Sequence, residues 1–168
     1  MKNPTIITDP AKYRRGWHGG RPETECGSGS TLRETRFQRE WLPKMVAKYG
    51  IKSIADIGAG DLNWIKHTKL GCHYRAYDLI PRHPKVKELN LLTDKLPKAD
   101  CLLVLWVINH LPAKEQCIAM AKLRASGSRY LIMTYDRRCE DCADLPYIQS
   151  AILKHIKGID FEIRLIEL

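Results

Sequence analysis

The chain has 168 residues, 44% hydrophobic and 28% charged, a size and composition that suit one globular domain and leave no room for a second independent core. Its formal net charge of +9 favours contact with a polyanion but says nothing about which one. No apolar run approaches the ~20 residues that span a bilayer, and no apolar region follows Lys2 as a secretory signal would require. The expectation is a cytoplasmic protein with no membrane partner and with free thiols.

Residues 1–30 are rich in Gly, Pro, Ser, Thr and charge, so they read as a flexible segment, with Trp17 and His18 placed to close over a site as a lid. The folded domain is expected over residues 31–168. Ser30 or Thr31 is expected to cap a helix starting near Leu32. Its apolar stripe is Phe37, Trp41, Met45 and Tyr49, widened by Leu42 and Val46. Pro43 should kink or restart this helix, and Gly50 should end it in a left-handed cap. Ser53–Ile57 reads as a buried strand, Leu62–Thr68 as a short helix and Tyr74–Asp78 as a second strand. A short third strand is expected within Val86–Leu92. The unbroken apolar run Cys101–Trp106 suits a central strand covered on both faces. Pro112 opens a helix to about Ala125, Gly127 ends it, and Tyr130–Thr134 follows as a strand. Leu145, Ile148, Ile152 and Ile156 predict a further helix, and Phe161–Leu168 a closing strand. Cys101 and Cys117 read as small core residues. Cys139 and Cys142 have the spacing of half a zinc site, but no second pair matches it, so a solvated loop is the reading.

Alternating strands and helices at intervals of ~25 residues predict an α/β fold: a single doubly wound, mostly parallel sheet with helices on both faces. In such a sheet a ligand lies beyond the carboxyl ends of the strands, where strand order reverses. The loop there reads Asp56-Ile57-Gly58-Ala59-Gly60-Asp61. Its glycines let the backbone turn sharply and approach a ligand closely, and N–H groups at the next helix start can hold an anion. A dinucleotide site wants a third glycine where Asn63 stands. Asp56 and Asp61 would also repel a pyrophosphate. Both acids suit a ligand with an ammonium group, which favours S-adenosylmethionine (SAM) over NAD. Asp78, 22 residues after Asp56, can accept hydrogen bonds from ribose hydroxyls. Asn90, followed by Leu91, can donate and accept toward an adenine edge.

In order along the chain, the glycine loop, Asp78 and the stretch Ala99–Leu111 resemble the class I, Rossmann-like SAM-dependent methyltransferases. The segments Gly27–Arg36 and Trp41-Leu42-Pro43 are similar to those of small bacterial and phage members of unassigned substrate. The resemblance implies SAM as cofactor, S-adenosylhomocysteine (SAH) as product, and methyl transfer to an unidentified acceptor. By that resemblance Gly58 and Gly60 line the methionine end, Asp78 the ribose, and Asn90 with Leu91 the adenine, with Ala59 and Leu79 also among the cofactor-binding residues. Trp106 and Val107 border the methyl. The family more often has Asp where Asn90 stands. Its members close with two strands antiparallel to each other, whereas one is evident here, which implies a shortened C-terminal end.

Transfer from a sulfonium needs chiefly in-line alignment of an acceptor lone pair, and a base where the acceptor must lose a proton early. His110 is the candidate base; the alternative is a histidine bonded to backbone at a helix start. No Asn/Asp-Pro-Pro-Tyr/Phe follows the fourth strand and no Pro-Cys pair occurs, so adenine amino and cytosine C5 methylation are disfavoured. The acceptor stays open among small molecules, nucleic acid and protein. The alternative function is a SAM-binding or basic nucleic-acid-binding protein without methyl transfer, using Arg14, Arg15, Arg33, Arg36, Arg39, Arg137 and Arg138 as its surface.

Overall fold

The structure, a computed structural model, describes residues 23–136, 150–155 and 161–168. Seven strands form one sheet: β1 (Ser53–Ile57), β2 (His73–Asp78), β3 (Val86–Glu88), β4 (Cys101–Val104), β5 (Tyr130–Asp136), β6 (Ser150–His155) and β7 (Phe161–Glu167). Their order is β3-β2-β1-β4-β5-β7-β6. The first five pair in parallel, while β7 runs antiparallel to both β5 and β6. Strand order therefore reverses between β1 and β4, which opens a crevice at their carboxyl ends.

The central strands are apolar on both faces because both faces are covered. Ala55 and Ile57 of β1, Leu102 and Val104 of β4, and Leu131 and Met133 of β5 pack with Ala119, Met120 and Leu123 of helix α2 (Ala113–Arg124). On the opposite face Ile54, Leu103 and Ile132 pack with Trp41, Leu42 and Val46 of helix α1 (Arg36–Lys48). Ridges of alternate residues thus feed two cores, one helix to each.

Several expectations are corrected. Helix α1 begins at Arg36, because Thr31–Thr35 form a turn in which the Thr31 carbonyl accepts both the Thr35 N–H and its hydroxyl. Pro43 lies inside α1 without ending it, and Gly50, at φ 62°, closes the helix in the left-handed region. The helix expected over Leu62–Thr68 is a single 3-10 turn, Ile65–His67. Ile152, assigned to a helix by spacing, lies in β6, so the sheet has both closing strands rather than one. Cys117 is exposed on α2 while Cys101 is buried; both are free thiols, as are Cys26 and Cys72. Trp17, His18, Cys139 and Cys142 lie outside the described residues, as do Leu145, Ile148, Ile156, Arg14, Arg15, Arg137 and Arg138. Among the described residues no helix is long and apolar enough to cross a membrane.

Candidate functional site

A cavity of about 670 Å³ opens at the strand carboxyl ends, with walls from the β1, β2, β3 and β4 loops and from residues 25–38. Pockets that hold drug-sized ligands have this volume. Asp56, Gly58, Ala59 and Gly60 line it from the first loop, Asp78 and Leu79 from the second, and Asn90 and Leu91 from the third. Trp106 and His110 line it past β4. Asp61 is absent from the wall.

The β1 loop works differently from expectation. Gly58 and Ala59 donate their N–H groups to the Tyr77 carbonyl at 2.8 and 3.0 Å, and Gly60 donates to Asp78 Oδ2 at 2.8 Å. These N–H groups bind the turn to β2 and do not await an anion. The glycines serve conformation and approach. Gly58 and Gly60 have φ of 89° and 61°, and a Cβ on Gly58 would run into the Val107 side chain. One on Gly60 would lie 2.6 Å from Cys26 Sγ. Burial and the nearby Asp61 push that thiol up to about 12, so Cys26 is a neutral packing group.

Asp78 ends β2 beside the turn. Its second oxygen accepts the Ile80 N–H at 3.0 Å, and two carboxylate oxygens still have lone pairs to spare. Burial raises its pKa, against the backbone N–H groups of Ile80 and Gly60, which lower it. Asp56 is buried at the end of β1 and accepts the Tyr74 hydroxyl at 2.6 Å. Burial pushes its carboxyl up to about 7 despite that bond, with Asp78 adding to the rise. Asp56 thus keeps a labile charge in the cavity wall near neutrality.

Asp61 instead fastens the chain upstream. Its Oδ2 accepts the Thr24 hydroxyl at 2.7 Å and the Glu25 N–H at 3.0 Å, and its Oδ1 accepts the Asn63 N–H. The ammonium-binding expectation for Asp61 gives way to this anchoring. Asn63, read as a missing glycine, is buried, and its Nδ2 donates to Glu23 Oε1 and the Ser30 carbonyl, each at 3.0 Å. Arg82 meets Glu25 at 3.0 Å. Residues 23–30 are therefore built into the site rather than loose beside it.

Asn90 Oδ1 accepts the Leu92 N–H at 2.9 Å, so its amide oxygen closes a turn and its NH₂ is what remains to face a ligand. Trp106 has φ 58°, a strained conformation for a bulky residue. Its N–H donates to the buried Thr134 hydroxyl oxygen at 3.1 Å. His110 sits exposed on a 3-10 turn, Ile108–His110, with Asn109 Nδ2 at 3.4 Å from Nε2. Sequence reasoning missed Thr24, Cys26, Gln38 and Arg82; no local pattern marks them, since each enters the site through tertiary contact.

No family model and no curated protein matches this sequence. Solved structures do match the fold. The methyltransferase domain of bacterial CtHen1-C superposes at a TM-score of 0.61 with 13% identity, covering 82% of this chain and 99% of that one. The N-methyltransferase NodS from Bradyrhizobium japonicum WM9, solved with SAH, gives 0.54 and 12%, covering 80% and 86%. Human N-acetylserotonin methyltransferase, solved with SAM, gives 0.53 and 10%, covering 83% of this chain and 57% of that one. The chain has the mostly parallel, Rossmann-like fold of the class I SAM-dependent methyltransferases.

Proposed function

We propose that this cavity binds SAM and that the chain transfers its methyl group to a nucleophilic acceptor. One observation carries the reading: the β2 carboxylate of Asp78 stands 2.8 Å from the Gly60 N–H, so turn and acid share one wall at the switch point. The donor set fits a cationic nucleoside. Asp78 offers lone pairs to ribose hydroxyls, and Leu79, Asn90 and Leu91 border the place for an adenine. Gly58, Ala59 and Gly60 shape the methionine end, where Asp56 supplies negative charge to an ammonium.

When bound, SAM supplies a methyl group already activated on sulfur. The chain's task is then alignment and exclusion of water. Trp106, held by Thr134, sets the wall beside the methyl. His110 stands where it can take a proton from the acceptor. NodS and the human enzyme, of the same fold, were solved with SAH and SAM, which supports the choice of cofactor. The nucleic-acid-binding alternative draws little from the described surface: Arg33 pairs with Glu34 and Arg36 with Glu40, both in solvent.

Asp78→Ala tests the reading. It should weaken SAH binding at least tenfold by calorimetry, with secondary structure by circular dichroism unchanged. Unchanged affinity in a folded variant would remove Asp78 from the cofactor site.

A further inference from the structure

Gln38 lies in the first turn of α1 and is 5% exposed, yet it lines the cavity. Its Oε1 is buried and meets no donor among the described residues. A buried amide oxygen with no donor among the described residues is a place for a ligand N–H or O–H. Helix α1 covers the sheet face that also carries Leu105, just past β4, and Ile163 of β7. Both of these line the cavity on the far side of the switch point from Asp78 and Asn90. Gln38 opens onto this same cavity from the helix side.

The charge of the wall narrows the acceptor further. The chain as a whole is +9, but Glu25, Glu34, Asp56 and Asp78 all line the cavity. Among the described wall residues Arg82 is the one lysine or arginine, and it is bridged to Glu25. An anionic acceptor entering beside the carboxylate that SAM itself brings meets like charge, with Arg82 already bridged to Glu25, and is costly to bury. A protonated amine is drawn in. Resting on the methyl-transfer reading above, we propose that Gln38 belongs to the acceptor half and that the acceptor is an amine, with one N–H received by Gln38 Oε1. Its positive charge is drawn by the acidic wall as a whole, Glu34 being already paired with Arg33. After the ammonium proton is lost to solvent, the nitrogen lone pair forms the N–C bond as the S–C bond breaks. The S–C bonding pair stays on sulfur, giving neutral sulfide, and one N–H proton of the methylated ammonium leaves to His110.

The test incubates the full chain with methyl-labelled SAM and, separately, a metabolite extract and total RNA. Label should appear in the fraction of the extract retained by a cation exchanger. Gln38→Leu should raise the KM for that amine at least tenfold while SAH affinity stays within twofold. Gln38→Glu should lower that KM instead, an effect that packing alone does not give. Label in RNA, in an anionic or uncharged fraction, or in no amine fraction overturns the assignment. So does a KM that neither substitution moves. Melting curves with SAH show whether each variant folds, and the wild-type partition of label stands without either variant. Failure of wild-type chain to bind SAH is a different failure: it removes the cofactor reading beneath the proposal.

Discussion

Burial moves the chemistry of Asp56 into the neutral pH range. Its carboxyl is buried and titrates near 7, well above its ordinary 3.8, while the unfolded chain ionises at the ordinary value. Between about pH 4 and pH 7 the folded state therefore holds the extra proton, and stability falls as pH rises, by roughly 1.4 kcal/mol per unit while the two states differ by one proton. Asp56→Asn keeps an acceptor for the Tyr74 hydroxyl and removes the charge. It should melt higher than wild type at pH 8, with the gain shrinking toward pH 5. Ligand affinity should move the other way. An ammonium prefers the ionised carboxylate, so wild-type affinity for SAH should rise as pH passes upward through 7, and the variant should lose that rise. A melting gain independent of pH would contradict the burial account.

At the scale of elements, each α-helix covers one face of the sheet, and α2 packs on the Ala55, Leu102 and Leu131 face. Leu123 is fully buried there. Leu123→Ala should cost ~2–5 kcal/mol by denaturant titration, and a loss below ~1 kcal/mol would mean the site collapses around the cavity. The strands of this core were legible as apolar runs, since a strand covered on both faces needs no alternation. β6 was not. A spacing of four in sequence, as from Ile148 to Ile152, suits one face of a helix but, four being even, equally suits one face of a strand. Pairing with β7 decides between them, and pairing is not local. The start of α1 was misread for a related reason. Thr31 does bond downstream, its hydroxyl accepting the Glu34 N–H at 3.3 Å, but it makes a turn whose neighbour Ser30 is held by Asn63. Asp61 misled in the same way: its place beside the glycines was readable, and its commitment to Thr24 was not.

For the whole molecule, the cavity joins a parallel half sheet to a mixed half beside residues 25–30; on the proposed reading the first half faces the nucleoside and the second the acceptor. A ligand bound to the folded state alone stabilises it by mass action, ~2.7 kcal/mol at one hundred times Kd. At ~2–4 °C per kcal/mol for a chain of this size, SAH in such excess should raise the melting temperature by ~5–10 °C. The most direct measurement is calorimetric titration of the full chain with SAM, SAH and NAD in parallel. The account predicts micromolar binding of SAM and SAH and no binding of NAD. Binding of NAD without SAM would contradict it.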